Sequence, residues 1–151
     1  MKPIRNSAKA IIVDNNRILL TKNKDEQGFF YLYPGGGQEQ GEELKDAVQR
    51  ECLEELGCQV EVGDIVHVRE YIGKNHEFSE WDADVHQVEF YFECRILEDV
   101  TDFHGSNPDS NQVDVEWIEL ERLHEIRVYP RTLTDQLLMR SRKIVYIGDA
   151  N

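Results

Sequence analysis

The sequence lacks the motifs of several common enzyme sites. Its three cysteines, Cys52, Cys58 and Cys94, form no CxxC pair, and we expect them to be reduced and semi-buried. Its five histidines show neither HxxH nor HExxH spacing, which argues against a zinc site. Neither G-x-S-x-G nor GxxxxGK[ST] occurs, so serine hydrolase chemistry of that type and P-loop chemistry are not expected.

Positive charge is scarce. The chain has 17 basic and 30 acidic residues, and its formal net charge is −13. Such a surface repels polyanions, so a nucleic-acid duplex and an anionic membrane are not expected as partners. A small phosphorylated substrate stays compatible with this charge, because a bound divalent cation inverts the local field.

Long apolar runs are also missing. The apolar stretches near the N-terminus, residues 11–13 and 18–20, are short and split by a polar turn, which predicts no secretory signal and a cytoplasmic location. With 151 residues, 40% of them hydrophobic, the chain can form one domain over residues 1–151 with its own core. A homodimer is left open.

Hydrophobic periodicity predicts an α/β (α+β) fold. Strands are expected at residues 8–13, 17–21, 29–33, 60–72, 85–97, 113–118 and 143–147. Polar loops are expected at residues 22–28, 73–84 and 98–111. Helices are expected at residues 43–56, 120–126 and 130–140, with Pro130 at the first helical position. This order predicts a mixed β-sheet between helices, in α/β/α layers.

A glycine cluster precedes the acidic helix. Three glycines follow Pro34, and Gly41 comes four residues after them. Glycine permits positive φ and lets a backbone pass close to another group. A loop of this kind can bring its amides and a metal-bearing helix to the same polyphosphate.

The helix itself is predicted by residues 43–56, which contain no Gly or Pro and end at Gly57. Glu51, Glu54 and Glu55 are spaced i, i+3 and i+4, so they project from one face. Two interpretations follow from the spacing alone. The face is either an ordinary solvated acidic surface or a site for hard divalent cations.

The combined spacing resembles the Nudix box of Nudix hydrolases. Five residues separate Gly36 from Glu42, and seven more lead to a segment that runs Arg50-Glu51-Cys52-Leu53-Glu54-Glu55-Leu56-Gly57-Cys58. Every glycine, glutamate and arginine of that pattern is present. Cys52 and Cys58 replace larger aliphatic residues, which alters packing but removes no chemical group.

The resemblance implies the Nudix fold and a metal site. It implies that Glu51, Glu54 and Glu55 ligate one or more Mg²⁺ or Mn²⁺ ions, and that one of them orients or deprotonates water. Glu42 is either part of that metal site or a first-turn residue favoured by the helix dipole. Arg50 is predicted to point away from Glu51 and to lie at i+4 to Glu54, either as a surface ion pair or, by resemblance, as a residue that orients a catalytic glutamate.

The sequence pattern leaves the roles of the other candidate site residues open. The resemblance gives Gly36, with Gly37, a role in shaping the loop. Tyr31 is either a substrate-side aromatic residue or a packed strand residue. Trp81 either stacks on a nucleobase or lies on the surface. A further acidic residue completes the site in several Nudix enzymes, and the candidates are Glu89, Glu93, Asp82 and Asp84.

The resemblance implies metal-dependent hydrolysis of a pyrophosphate bond. The expected substrate is a small-molecule nucleotide, a nucleoside diphosphate linked to a group X, with ADP-ribose and nucleotide sugars favoured. A nucleoside triphosphate pyrophosphohydrolase is the alternative enzyme. A Nudix-fold module that senses a nucleotide without cleaving it is the alternative of another class.

Overall fold

The computed structural model describes residues 2–139 and 143–151. The strands are β1 Arg5–Asp14, β2 Arg17–Asp25, β3 Gly28–Leu32, β4 Gly35–Gly37, β5 Val60–Ile72, β6 His86–Ile96, β7 Gln112–Glu119, β8 Val128–Tyr129 and β9 Val145–Asp149. The α-helices are α1 Leu44–Leu56, α2 Ser79–Asp82 and α3 Thr132–Met139. Two 3₁₀ turns, Gly73–Asn75 and Leu120–Glu125, connect them.

Within the described residues the strands form one curled, mixed sheet. Its order is β8-β3-β2-β1-β6-β5-β9, with β4 paired to β1 and β7 paired to β2. Pairs β1–β6, β3–β8 and β5–β9 are parallel, and the other pairs are antiparallel. The predicted α+β class with a mixed sheet and helices is therefore confirmed.

Strand β1 is the centre of the fold. Residues 5–12 pair with β6 and residues 7–9 also pair with β4, whereas Val13 and Asp14 pair with β2. The turn to β2 uses Asn15 and Asn16 at φ 51° and 59°, a left-handed conformation that suits a tight hairpin and that asparagine tolerates. β1 thus joins the glycine strand β4 to the rest of the sheet.

Alternation along β1 separates two cores. Ala8, Ala10 and Ile12 pack with α1 residues in one cluster, while Ile11 joins a second cluster that contains Leu133 of α3. Small alanines let α1 approach the sheet closely. Because successive side chains of a strand point to opposite faces, Lys9 lies on the face opposite α1.

Some predicted boundaries are wrong. Residues 22–28 were expected to form a loop, but β2 continues to Asp25 because Asn23 and Lys24 pair with β3. Asn23 is buried and donates to the Thr21 carbonyl at 3.2 Å, which satisfies its amide inside the sheet. The loop expected at residues 73–84 contains a 3₁₀ turn and α2.

Differences also occur near the C-terminus and at the glycines. The helix expected from Pro130 begins at Thr132, and its expected last residue, Arg140, lies outside the described residues. The helix expected at residues 120–126 is a 3₁₀ turn. Strand β4 was not predicted, because glycine has low strand propensity and its pairing with β1 is a tertiary contact.

Candidate active site

Helix α1 carries three glutamates that are buried to different extents. Glu55 is 3% exposed, and the side chains of Glu51 and Glu54 are 13% and 29% exposed. The helix ends at Gly57, whose φ is 74° and whose N–H donates to the Leu53 carbonyl at 3.1 Å. The i, i+3, i+4 spacing therefore places one carboxylate in the interior and two nearer to solvent.

The glycine strand β4 lies against these carboxylates. Gly35 N–H donates to Oε2 of Glu55 at 2.8 Å. A Cβ atom on Gly36 would lie 2.7 Å from the carboxyl carbon of Glu51, so a larger residue would displace that carboxylate. On the other face, a Cβ on Gly37 would lie 2.0 Å from Nη2 of Arg5. Glycine is required here because side chains approach from both faces.

Arg50 connects the loop to the helix. Its Nε and Nη2 donate to the two carboxylate oxygens of Glu42 at 2.8 and 3.1 Å, and Nη2 also donates to the Gly37 carbonyl at 3.0 Å. Its Nη1 donates to Glu51 at 3.0 Å and to Glu54 at 3.3 Å. The prediction that Arg50 points away from Glu51 is wrong, because the long side chain curves back towards β4. The i+4 contact with Glu54 is present.

Burial and charge shift the titration of these groups. Burial raises the pKa of Glu55 to about 8, although Lys9 and the Gly35 N–H oppose the shift. Burial also raises the pKa of Glu51, with Arg50 opposing it. The hydrogen bond from Arg50 lowers the pKa of Glu42. The interior end of the site therefore holds carboxylates whose negative charge is poorly compensated.

The donor set fits a hard divalent cation. It consists of carboxylate oxygens on one helix face, which Mg²⁺ and Mn²⁺ prefer. Within residues 2–139 and 143–151, no three Asp, Glu, His or Cys side chains are already drawn together tightly enough to hold a metal ion. Nη1 of Arg50 contacts both Glu51 and Glu54, whereas the Glu55 carboxylate accepts the Gly35 N–H. The oxygens of Glu42 both contact Arg50, so its role as a ligand stays a prediction.

A loop that the sequence did not implicate closes over the same helix end. Asn107 N–H donates to the Glu54 carbonyl at 2.9 Å, and the Gln112 side chain donates to the Glu55 carbonyl at 2.9 Å. A Cβ on Gly105 would lie 2.1 Å from the Glu54 carbonyl oxygen. This docking brings Asp109 close enough to raise the pKa values of both Glu51 and Glu55. No motif marks Asp109.

The four acidic residues that the sequence names as candidates to complete the site lie on β6 and at or just beyond the end of α2, and their role in the site stays a prediction. Glu89 is buried on β6, where it accepts hydrogen bonds from Arg69 at 2.7 Å and from the Tyr91 hydroxyl at 2.6 Å. Asp82 accepts from the Tyr71 hydroxyl at 2.8 Å, and Asp84 pairs with Lys2 at 3.3 Å. Glu93 is exposed.

An aromatic cleft of about 700 Å³ opens on the sheet face that carries Glu89. Tyr129 lines it and is buried, and its ring centroid lies 5.7 and 6.2 Å from those of Phe78 and Phe30. Trp81 lines the cleft and is 74% exposed. The rings of Phe78 and Phe30 both pack edge to face on that of Tyr129. The Arg127 guanidinium lies over the Phe30 and Tyr129 rings, at 5.1 and 5.5 Å from their centroids. The exposed ring of Trp81 is therefore the one that offers a face to a flat ligand.

Tyr31 does not line that cleft. It is buried, and its hydroxyl donates to Glu116 at 3.1 Å. This geometry agrees with the packed strand interpretation.

A second cavity, of about 740 Å³, adjoins the glycine loop. It meets the aromatic cleft at Gln87, which lines both. Its wall is rich in side-chain amides and includes Asn6, Gln38, Gln40 and Gln87. Such amides offer both donors and acceptors to hydroxyl groups.

The glycine strand, the helix glutamates and Arg50 form the segment that resembles the Nudix box, and the amide-lined cavity adjoins this segment at Glu42. A sequence model of the NUDIX domain matches residues 3–137, and the chain belongs to the Nudix family. It is thus a hydrolase that acts on acid anhydrides in phosphorus-containing compounds. Nudix hydrolases generally need a divalent metal ion. No curated protein sequence matches the chain significantly.

Solved structures share the fold. An ADP-ribose pyrophosphatase from Streptococcus suis 89-1591 is 22% identical with a TM-score of 0.64, over 97% of this chain and 100% of that one. A NUDIX hydrolase from Nitrosomonas europaea is 16% identical with a TM-score of 0.73, over 94% and 93% of the two chains. A UDP-X diphosphatase is 16% identical with a TM-score of 0.67, over 96% and 68%. In the part of this chain that is described, no helix is long and apolar enough to span a bilayer.

Proposed function

We propose that this Nudix hydrolase cleaves the pyrophosphate bond of a nucleoside diphosphate linked to a polar group X. The main support for this proposal is the pair of cavities that share Gln87 as a lining residue, beside the glycine loop. The aromatic cleft suits a nucleobase, and the amide-lined cavity suits a hydroxylated X such as a sugar. A nucleoside triphosphate, the alternative substrate, has no group to fill the second cavity.

Glu51, Glu54 and Glu55 are the residues that we propose as ligands for Mg²⁺ or Mn²⁺, with Glu42 as a further candidate. When bound, the cation stabilises charge on phosphoryl oxygens and lowers the pKa of water. Arg50 orients Glu51 and Glu54 from one guanidinium, because it contacts both carboxylates and the Gly37 carbonyl.

The chain's own residues supply the proton acceptor. Glu54 is the most exposed of the three helix carboxylates, so we assign its Oε atoms to accept the proton from the attacking water. The water oxygen forms a bond to one phosphorus, and the bond from that phosphorus to the bridging oxygen breaks. Two products that both carry phosphate leave.

The favoured substrates are ADP-ribose and nucleotide sugars. Two neighbours of the same fold carry related names, an ADP-ribose pyrophosphatase and a UDP-X diphosphatase. The test is a panel of ADP-ribose, nucleotide sugars, dinucleoside polyphosphates, nucleoside triphosphates and capped RNA, with Mg²⁺ or Mn²⁺, in ¹⁸O-labelled water. We expect cleavage of nucleoside diphosphates linked to sugars and label on one phosphate product.

Two results of this panel would contradict the proposal. Faster turnover of triphosphates than of every X-linked substrate would favour the other enzyme. Tight binding of a nucleotide with no cleavage would favour the sensing module. A single domain, a cytoplasmic location and a homodimer stay predictions.

A further inference from the structure

Lys9 has an unusual position on the face of β1 opposite α1. Its backbone lies between Gly35 of β4 and Tyr91 of β6. The strands are close here, since a Cβ on Gly35 would lie 2.7 Å from the Cα of Lys9. The Lys9 side chain is half-buried. It therefore starts beside the backbone amide that holds Glu55.

The charge of Lys9 acts on two buried carboxylates. It opposes the rise in the pKa of Glu55, and with Arg69 it outweighs the burial of Glu89, so that the pKa of Glu89 is lowered. Glu89 lines the aromatic cleft, whereas Glu55 belongs to the acidic helix. Lys9 also lies on the same face of β1 as Ser7, which pairs with Glu89 in the neighbouring strand, so it neighbours one residue of the proposed nucleoside cleft and the Gly35 amide that holds one proposed metal ligand.

Both of those carboxylates already have closer partners. Glu55 accepts the Gly35 N–H, and Glu89 accepts from Arg69 and Tyr91. Within residues 2–139 and 143–151, Lys9 forms no ion pair and no side-chain hydrogen bond. Its ammonium carries three donors, and a half-buried charge without a partner is costly.

Two of the three neighbouring guanidinium groups are held by other residues. Arg50 is held by Glu42, Glu51 and Glu54. Arg69 bonds to Glu89 and to the Ala150 carbonyl at 2.6 Å. The side chain of Arg5 also has no hydrogen-bond or ion-pair partner among the described residues, but it lies against Gly37, at the other end of the β4 pairing, and lines the amide-lined cavity. In the described part of the chain, Lys9 is therefore the basic side chain without a partner whose charge acts on both Glu55 and Glu89.

We propose that Lys9 binds a non-bridging oxygen of the substrate diphosphate, at the point where it passes from the aromatic cleft to the helix glutamates. This inference rests on the proposed function. A phosphate at this place supplies the partner that the ammonium lacks. It also sets the direction of the substrate, with the nucleoside on the Glu89 side of Lys9.

The test compares Lys9→Met with Lys9→Arg and with Lys24→Met. Methionine keeps the length of the chain and removes the charge, and arginine restores the charge. Lys24 is an exposed lysine of β2 that lies over the Phe29 ring, so its variant makes the same change in net charge away from the site. A melting curve confirms folding of each variant, and Lys9→Gln replaces Lys9→Met if that variant does not fold.

The probe is methylenediphosphonate, a diphosphate analogue that cannot be hydrolysed and has no base. Its affinity is measured by calorimetry with Mg²⁺ present. We expect Lys9→Met to weaken binding about tenfold or more, as for loss of a hydrogen bond to a charged group. Lys9→Arg should recover part of the loss, and Lys24→Met should bind as the wild type does.

A second measurement separates phosphate binding from tuning of the glutamates. Binding of Mn²⁺ alone is followed by the paramagnetic resonance signal of the free ion. Removing a cation near Glu55 should leave Mn²⁺ binding equal or tighter, while diphosphonate binding weakens. Unchanged diphosphonate affinity in Lys9→Met, an equal loss in Lys24→Met, or no binding by the wild type would overturn the inference.

The result is independent of the substrate panel. A wild type that cleaves no nucleotide but binds diphosphonate through Lys9 would refute the proposed reaction and keep the phosphate site. Turnover of an X-linked nucleotide together with unchanged diphosphonate affinity in Lys9→Met would keep the reaction and refute the role of Lys9.

Discussion

The backbone N–H of Gly35 donates to the Glu55 carboxylate at 2.8 Å, across twenty residues of sequence. This bond fixes the acidic helix to the glycine strand. It also gives a nearly buried carboxylate one of its few polar partners, and burial still raises the pKa of Glu55 to about 8. A cation near Glu55 would restore the charged form, which links ion binding to the local structure.

Removing the charge of Glu54 should nearly abolish turnover. Glu54→Gln keeps the shape of the side chain, and loss of one charge-stabilising group typically costs ~3 kcal/mol or more in the activation barrier. We expect kcat to fall by orders of magnitude while the fold is kept. Steady-state kinetics measure this. Glu43→Gln is the control, because Glu43 precedes the same helix and makes no side-chain cap bond. Near-normal turnover by Glu54→Gln would reject its role.

Divalent cations should stabilise the folded protein. A ligand that binds only the folded state at a hundredfold excess over its Kd adds about 2.7 kcal/mol. Mg²⁺ or Mn²⁺ should therefore raise the Tm by more than sodium does at matched ionic strength, because sodium only screens. The shift should shrink in a variant with Glu51, Glu54 and Glu55 all changed to Gln. Equal shifts in variant and wild type would place the ion elsewhere.

Asp109 should support activity although no motif marks it. It lies close enough to influence Glu51 and Glu55. Mutation of a residue that acts on metal ligands from nearby typically lowers metal affinity or activity about 10–100-fold. We expect a decrease of that size in kcat/KM for Asp109→Asn. Asp102→Asn is the matched control, because Asp102 lies in the same loop and contacts the exposed His104. Equal kinetics in the two variants would remove Asp109 from the site.

Trp81 should contribute to nucleoside binding. It is exposed and lines the cleft beside Phe78. A stacked base typically gains about 1–3 kcal/mol from an aromatic side chain, so Trp81→Ala should raise KM about tenfold with little change in kcat. Phe29→Ala serves as the control, since Phe29 is exposed but does not line the cleft. The idea fails if both variants show the same KM.

Asp149 should make the free energy of unfolding depend on pH in the acid range. Partial burial raises its pKa, but hydrogen bonds from Asn75 and His76 and from the Ile72 N–H outweigh this and lower the pKa to about 2. The unfolded value is about 3.9, so the ionised group stabilises the fold above that pH. This contribution is lost as the pH falls from about 4 to about 2.

Asp149→Asn should therefore be less stable than the wild type at neutral pH, with the difference vanishing near pH 2. Urea unfolding at several pH values measures this, and Asp102→Asn on the exposed loop should show no such trend. A difference that stays constant with pH would show that ionisation of Asp149 is not the cause.

The sequence alone determined the acidic helix and most of the strands. Glu51, Glu54 and Glu55 share a face because helical spacing is a local property. The alternation of side-chain character along the sequence predicted strands β5 and β6, because this alternation is also a local property. The extended end of β2 was missed because Asn23 and Lys24 are polar, and only pairing with β3 shows that they belong to the sheet.

Only the tertiary structure decided how the helix is surrounded. The contact of Arg50 with Glu51 depends on where β4 lies, and the positions of Asp109 and Lys9 depend on loop docking and strand register. The aromatic cleft joins Phe30, Phe78 and Tyr129, which are far apart in sequence. Composition and periodicity report the neighbours of a residue along the chain, whereas these groups meet because the sheet folds distant segments onto one face.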